Sequence, residues 1–66
     1  MKNTLRVERA ILNITQAELA EKVNVSRQTI NAIESNKYVP STVLALKIAA
    51  VCKKNVGDIF ILEETD

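Results

Sequence analysis

The sequence predicts an all-α fold, a compact bundle of five short helices. Three observations carry this expectation. Glycine and proline occur once each in 66 residues, too little turn material for a many-turned β fold. Apolar residues recur at spacings of three and four along most of the chain. Finally, Ser, Thr or Asn stands just before each periodic segment, where such side chains cap helix N-termini. The hydrophobic fraction of 47% supplies a core and is too high for a disordered chain. The length allows one small domain, residues 1–66.

The first helix is expected from Thr4 to Leu12, with Asn3 or Thr4 as its cap. A second opens at Thr15 and ends near Val23; Thr15-Gln16-Ala17-Glu18 has the form of a capping box. A third opens at the N-cap Ser26 and ends near Ser35, where Asn36 tolerates the left-handed backbone that terminates helices. Pro40 stops the following loop from continuing as helix. The fourth runs from Ser41 or Thr42 to about Lys53, and the fifth is short, capped by Asn55 and ending near Phe60. The tail from Phe60 to Glu63 is free to run extended, and Met1 to Asn3 to pair with it as a very short strand. The expected inward stripes are Leu19, Ala20 and Val23; Ile30 and Ile33; and Ala45, Ile48, Ala49 and Cys52. On the first helix, Glu8 falls near the inward stripe. Val7 and Ile11 form a second apolar patch there, able to pack under the tail, meet another subunit or stay exposed.

Composition excludes several classes of function. There is no His and one Cys, so neither an internal disulfide nor a Cys/His metal cluster is available. The unpaired Cys52 reads as a small core side chain and suits a reducing compartment. No Gly-rich phosphate loop and no catalytic constellation is present, which points away from an enzyme, a cofactor or a small-molecule ligand. Residues 1–4 lack the apolar run of a signal peptide. The longest apolar stretch, Val43 to Cys52, is ten residues and is interrupted by Lys47, half of what a bilayer requires. These features predict a cytoplasmic protein without a membrane partner. Charge is uneven: residues 1–54 hold nine bases against four acids, and residues 55–66 hold four acids and no base. Any phosphate-facing surface belongs to the first part.

Residues 16–35 carry the functional signal. Two helices crossing steeply through a tight turn need a small residue at the crossing, and Ala20 supplies it. The turn needs a residue that accepts positive φ, which Asn24 does, and an apolar plug, which Val25 provides. The second of the two helices then buries Ile30 and Ile33 and leaves Arg27, Gln28, Thr29, Asn31 and Ala32 outward. Arg, Gln and Asn are suited to bidentate contacts with base edges, and Ala to a thymine methyl. No acid interrupts Val23 to Ile33. Gln16 opens the preceding helix, where backbone N–H groups favour an anion.

The chain resembles a stand-alone member of the lambda-repressor/Cro-like, or xenobiotic-response-element, helix-turn-helix family. The likeness lies in Leu12-Asn13-Ile14-Thr15-Gln16-Ala17-Glu18-Leu19-Ala20 and in Val25-Ser26-Arg27-Gln28-Thr29-Ile30-Asn31-Ala32-Ile33-Glu34. It extends to the loop Asn36-Lys37-Tyr38-Val39-Pro40-Ser41 and to Ala45–Ala49 and Asp58–Phe60. The resemblance implies phosphate contacts from Thr15, Gln16, Asn36, Lys37 and Tyr38, and base contacts from Arg27, Gln28, Asn31 and Ala32. Ser26 and Thr29 complete the expected phosphate set. Arg9 and Glu34 match a buried pair that ties the first helix to the recognition helix. Asn13, Asn24, Asn36 and Lys53 stand where many relatives have Gly. Glu8 replaces a frequent Leu, and Lys54 a frequent apolar residue.

One recognition helix covers few base pairs, so a homodimer on a palindromic operator is expected, with recognition helices about 34 Å apart. Ile59, Phe60, Ile61 and Leu62 offer more apolar surface than one short helix buries, and Val43 and Val51 add to it. Residues 56–66 are thus the expected dimerisation segment. The leading reading is a DNA-binding repressor. The alternatives are a DNA-binding antitoxin and a protein-interaction module that has kept the fold.

Overall fold

A computed structural model describes residues 1–66. The chain runs β1 (Lys2–Asn3), α1 (Leu5–Leu12), α2 (Gln16–Lys22), α3 (Arg27–Glu34), α4 (Thr42–Cys52), α5 (Val56–Ile59) and β2 (Phe60–Ile61). The five expected helices are present, and the two ends pair as an antiparallel ribbon with Lys2 opposite Ile61 and Asn3 opposite Phe60. Phe60 leaves the helical region at φ −108° and ψ 119°, which turns the chain into β2.

Capping follows the sequence in three helices. The Thr15 hydroxyl accepts from the Glu18 N–H and the Glu18 carboxylate accepts from the Thr15 N–H, closing the capping box. Ser26 and Ser41 accept from the N–H groups of Thr29 and Leu44. The remaining two helices differ. Asn55 occupies the cap position of α5 without a side-chain bond. Thr4 precedes α1, but Asn3 Oδ1 accepts from the Leu5 N–H, and the Thr4 hydroxyl donates to the Asp58 carbonyl. Asn13, Asn24, Asn36 and Lys53 all adopt positive φ, between 56° and 60°, and end the segments before them.

The core is Leu5 from α1, Leu19, Ala20 and Val23 around α2, Ile30 and Ile33 from α3, Leu44, Ile48, Ala49 and Cys52 from α4, and Ile59 from α5. Burial pushes the Cys52 thiol up, with the Glu8 carboxylate adding to it, which suits a packed and unreactive side chain. Three sequence expectations change, and a fourth, left open, is decided. Leu44, not Ala45, begins the inward stripe of α4, because the stripe is set by the ridge that meets α1 and α5. Ile59 is 0% exposed within one chain, so it is a core residue and cannot offer interface area. Val51 and Phe60 are also half-buried against that core, whereas Val43, Ile61 and Leu62 remain exposed. Val7 and Ile11 do not pack under the tail: they are 59% and 67% exposed.

Glu8 is buried among these apolar side chains, with Lys54 Nζ 3.8 Å from its Oε1. The two positions that depart from the apolar pattern therefore meet in space.

Candidate nucleic-acid interface

The site is built on the α2–α3 turn. The Val23 backbone N–H donates to Leu19 at 3.1 Å, and Asn24, at φ 60°, donates to Glu21. Val25 then donates to the Ala20 carbonyl at 3.0 Å and packs on the core. With Ala20 at the crossing, α3 lies against α2 through Ile30 and Ile33. Helical periodicity turns Arg27, Gln28 and Asn31 to solvent on the other side.

Arg27, Gln28 and Asn31 join Gln16 around one open concavity that has no hydrophobic side chain in its lining. Ala32 is half-buried and lies outside this group. Asn36, Lys37 and Tyr38 are exposed in the loop after α3. Tyr38 borders a different depression, together with Thr29, Val43 and Lys47. Ser26 and Thr29 face each other, with hydroxyl oxygens 3.0 Å apart, so the pair keeps one hydroxyl proton for an outside acceptor. Thr15 uses its oxygen as an acceptor in the capping box and keeps its proton as well.

Behind the concavity lies Glu34, whose side chain is out of contact with solvent. Its Oε2 accepts from Arg9 Nε at 2.8 Å, and its Oε1 from Arg9 Nη2 at 3.2 Å. The same Oε1 accepts from Gln16 Nε2 at 3.0 Å. An acceptor-only carboxylate requires the amide nitrogen at that end of Gln16. Gln16 is therefore oriented, with its carbonyl and second N–H left over for the concavity. Arg9 also donates from Nη1 to the Ile14 carbonyl, which fixes the α1–α2 connection. Burial pushes the Glu34 carboxyl up, but the hydrogen bonds from Arg9 and Gln16, with the charges of Arg9 and Arg6, outweigh it and hold Glu34 below its ordinary range. The hydrogen bond that Arg9 donates to Glu34 correspondingly raises Arg9. The one acid behind the site is thus neutralised, and the outer face of α3 carries none.

Asn3 has a role that sequence reasoning missed. Its Nδ2 donates to the Ile33 carbonyl at 2.9 Å and lies 3.2 Å from Asn36 Oδ1. The ribbon at the chain ends thereby holds the C-terminal end of α3 and the loop that follows. No local signal encodes a contact across 30 residues.

What this arrangement can do is present, on a rigid helix, amide and guanidinium groups of base-reading chemistry flanked by hydroxyl and lysine donors. Comparison with known proteins agrees. The helix-turn-helix family model matches residues 5–59. The chain is 53% identical to an uncharacterised HTH-type transcriptional regulator of Methanocaldococcus jannaschii over the whole of both chains. A similar regulator of Methanothermobacter thermautotrophicus is 49% identical, covering 97% of this chain and 94% of that one. One from Bacillus subtilis is 47% identical over 97% of each. All three are described as HTH-type transcriptional regulators. No helix is long and apolar enough to cross a membrane. A helix-turn-helix of this geometry, matched over most of the chain, places the protein in the lambda-repressor-like, xenobiotic-response-element family of DNA-binding transcriptional regulators.

Proposed function

We propose that the protein is a cytoplasmic repressor that binds a palindromic operator as a homodimer and blocks transcription by occupancy. The observation that carries the reading is the convergence of Arg27, Gln28, Asn31 and an oriented Gln16 on one acid-free surface. In this reading α3 enters the major groove, Arg27 and Gln28 read base edges with Asn31, and Ala32 borders them. Thr15, Gln16, Ser26, Thr29, Asn36, Lys37 and Tyr38 hold phosphates on either side. Phosphate contacts set register, and the base contacts set sequence.

The dimer surface follows from which apolar residues remain exposed. Val39, Leu46 and Val56 are exposed and line a second concavity with Met1, Pro40 and Phe60. None of these residues belongs to the polar concavity, so a second copy seated there leaves α3 free. Ile61, Leu62 and Val43 extend the same kind of surface. The acids Glu63, Glu64 and Asp66 suit its rim.

Selection of duplexes from a random pool tests the reading. An inverted repeat with half-site centres one helical turn apart is expected. Scrambling one half-site should abolish tight binding. Arg27→Ala should cost about 1–3 kcal/mol on the selected duplex and relax preference at one base pair. An equal loss on selected and scrambled duplexes would assign Arg27 to phosphate instead. A reporter whose promoter overlaps the selected site should rise when the protein is removed; a fall would mean activation.

A further inference from the structure

The Arg9–Glu34 pair leaves a second arginine unexplained. Arg6 lies on α1, and its Nε is 3.6 Å from Glu34 Oε1. Its side chain is 71% exposed. Glu34 already accepts two hydrogen bonds from Arg9 and one from Gln16, and the charge of Arg6 is the last and smallest of the influences that hold its carboxyl low. At 3.6 Å the Arg6 contact is too long for a hydrogen bond, and exposed pairs of this kind contribute little to stability. The Nη1 and Nη2 fork of Arg6 makes no hydrogen bond, and the contact recorded for this side chain is that of its Nε with Glu34. The fold therefore carries an exposed guanidinium that Glu34 engages only loosely and that contributes little to stability.

Its position is informative. Arg6 Nε and Gln16 Nε2 approach the same carboxylate oxygen, at 3.6 and 3.0 Å. The two nitrogens can be no farther apart than those two distances laid end to end. Gln16 is one of the four residues lining the polar concavity of α3. Arg6 thus comes to the carboxylate that orients a lining residue of the concavity, from the α1 side and with its side chain exposed, whereas Arg9 is turned inward to Glu34 and Ile14. Arginine's planar fork matches phosphate geometry bidentately.

We propose that Arg6 is a phosphate-binding residue, which extends the DNA footprint from the α2–α3 unit onto α1, with Glu34 steering the guanidinium through its Nε edge. This rests on the DNA-binding reading above. On approach of the duplex, the fork closes on a backbone oxygen next to the one that Gln16 meets, and the loose contact with Glu34 sets only its direction.

Phosphate contacts are independent of sequence, so a mixed-sequence duplex of about twenty base pairs serves as probe. Affinity is measured against salt between about 50 and 200 mM for the intact chain and for Arg6→Gln and Arg6→Lys. Thermal melting of each protein is recorded alongside. For Arg6→Gln the slope of log K against log salt should become shallower by about 0.9, the value of one phosphate contact. Its melting temperature should stay close to that of the parent. Arg6→Lys should restore the slope, because the charge is retained. An unchanged slope in Arg6→Gln overturns the proposal, as does a slope lost equally in Arg6→Lys. A lowered melting temperature with an unchanged slope would make Arg6 a structural partner of Glu34. If the intact chain fails to bind duplex even at the lowest salt, it is the DNA-binding reading that fails, not the role of Arg6.

Discussion

The carboxylate of Glu34 accepts hydrogen bonds from Arg9 and Gln16 and has no contact with solvent. Removing one partner of such a pair leaves a buried charge uncompensated, so Arg9→Ala should destabilise the fold by about 3–5 kcal/mol. Denaturant unfolding at neutral pH measures it. A change near zero would show that the pair is worth no more than an exposed one. The pair also makes stability depend on acid. Glu34 titrates below its ordinary 4.5 in the folded chain, because its partners outweigh its burial. The folded state therefore binds this proton less readily than the unfolded one, and the contribution is full above the unfolded value. It is lost as pH falls through the depressed folded value. Between about pH 5 and 3 the melting temperature of the parent should fall more steeply than that of Glu34→Gln. Parallel curves would remove Glu34 from the acid transition. Glu8 shows the other kind of buried acid, with Lys54 as its partner at a looser 3.8 Å. Each of the two residues alone reads as an anomaly in an apolar pattern, and together they compensate one another.

At the scale of the element, short helices are held at both ends by side chains of the right type. Thr15, Ser26 and Ser41 satisfy N-terminal N–H groups that would otherwise be orphaned. At the other ends, Asn13 and Lys53 take the left-handed conformation. Asn24 does so in the helix-turn-helix turn and Asn36 in the loop after α3. Asparagine accepts this conformation through its short polar side chain, whereas lysine pays about 1–2 kcal/mol for it. Lys53 is exposed and makes no side-chain hydrogen bond or ion pair, so nothing offsets that strain. Lys53→Gly should therefore stabilise the protein by about 0.5 kcal/mol, the relief of strain being partly cancelled by the greater freedom of unfolded glycine. Equilibrium unfolding in urea reads the difference, and a loss of stability would show that the lysine side chain makes a contact of value. The same register that puts Leu44, Ile48 and Cys52 inward on α4 leaves Leu46 outward, about half exposed at the edge of the apolar concavity.

For the whole molecule, the ribbon of β1 and β2 ties the ends of the chain beneath the recognition unit. Asn3, in β1, holds the Ile33 carbonyl and Asn36, so the ends of the chain position the end of α3. Exposed Val39, Leu46 and Val56 remain after this packing is complete. If a second copy covers them, Leu46→Asp should give a folded monomer, because the side chain is 54% exposed in one chain and its loss leaves no cavity. Sedimentation equilibrium at micromolar concentration should show a dimer for the parent and a monomer for the variant. Affinity for the palindrome should fall by orders of magnitude, with binding to random duplex less affected. A parent that sediments as a monomer, or a variant that remains a dimer, would move the interface elsewhere.

Read locally, the residues of this chain determine its helices, their caps, the tight turn at Asn24 and the polar face of Arg27, Gln28 and Asn31. Each of these depends on spacings of four residues or fewer, within reach of periodicity and capping chemistry. The family resemblance added the partnership of Arg9 and Glu34. Tertiary structure alone decided the rest. It placed Ile59 in the core and so withdrew it from the dimer surface, since burial depends on which helices meet and not on how apolar a segment is. It joined Glu8 to Lys54 and Asn3 to Ile33 across separations that no local pattern records. It also gathered Arg6, Arg9 and Gln16 around one carboxylate, which Arg6 engages only loosely. The cluster on Glu34 arises only when α1, α2 and α3 pack, because α1 supplies Arg6 and Arg9, α2 supplies Gln16 and α3 supplies the carboxylate.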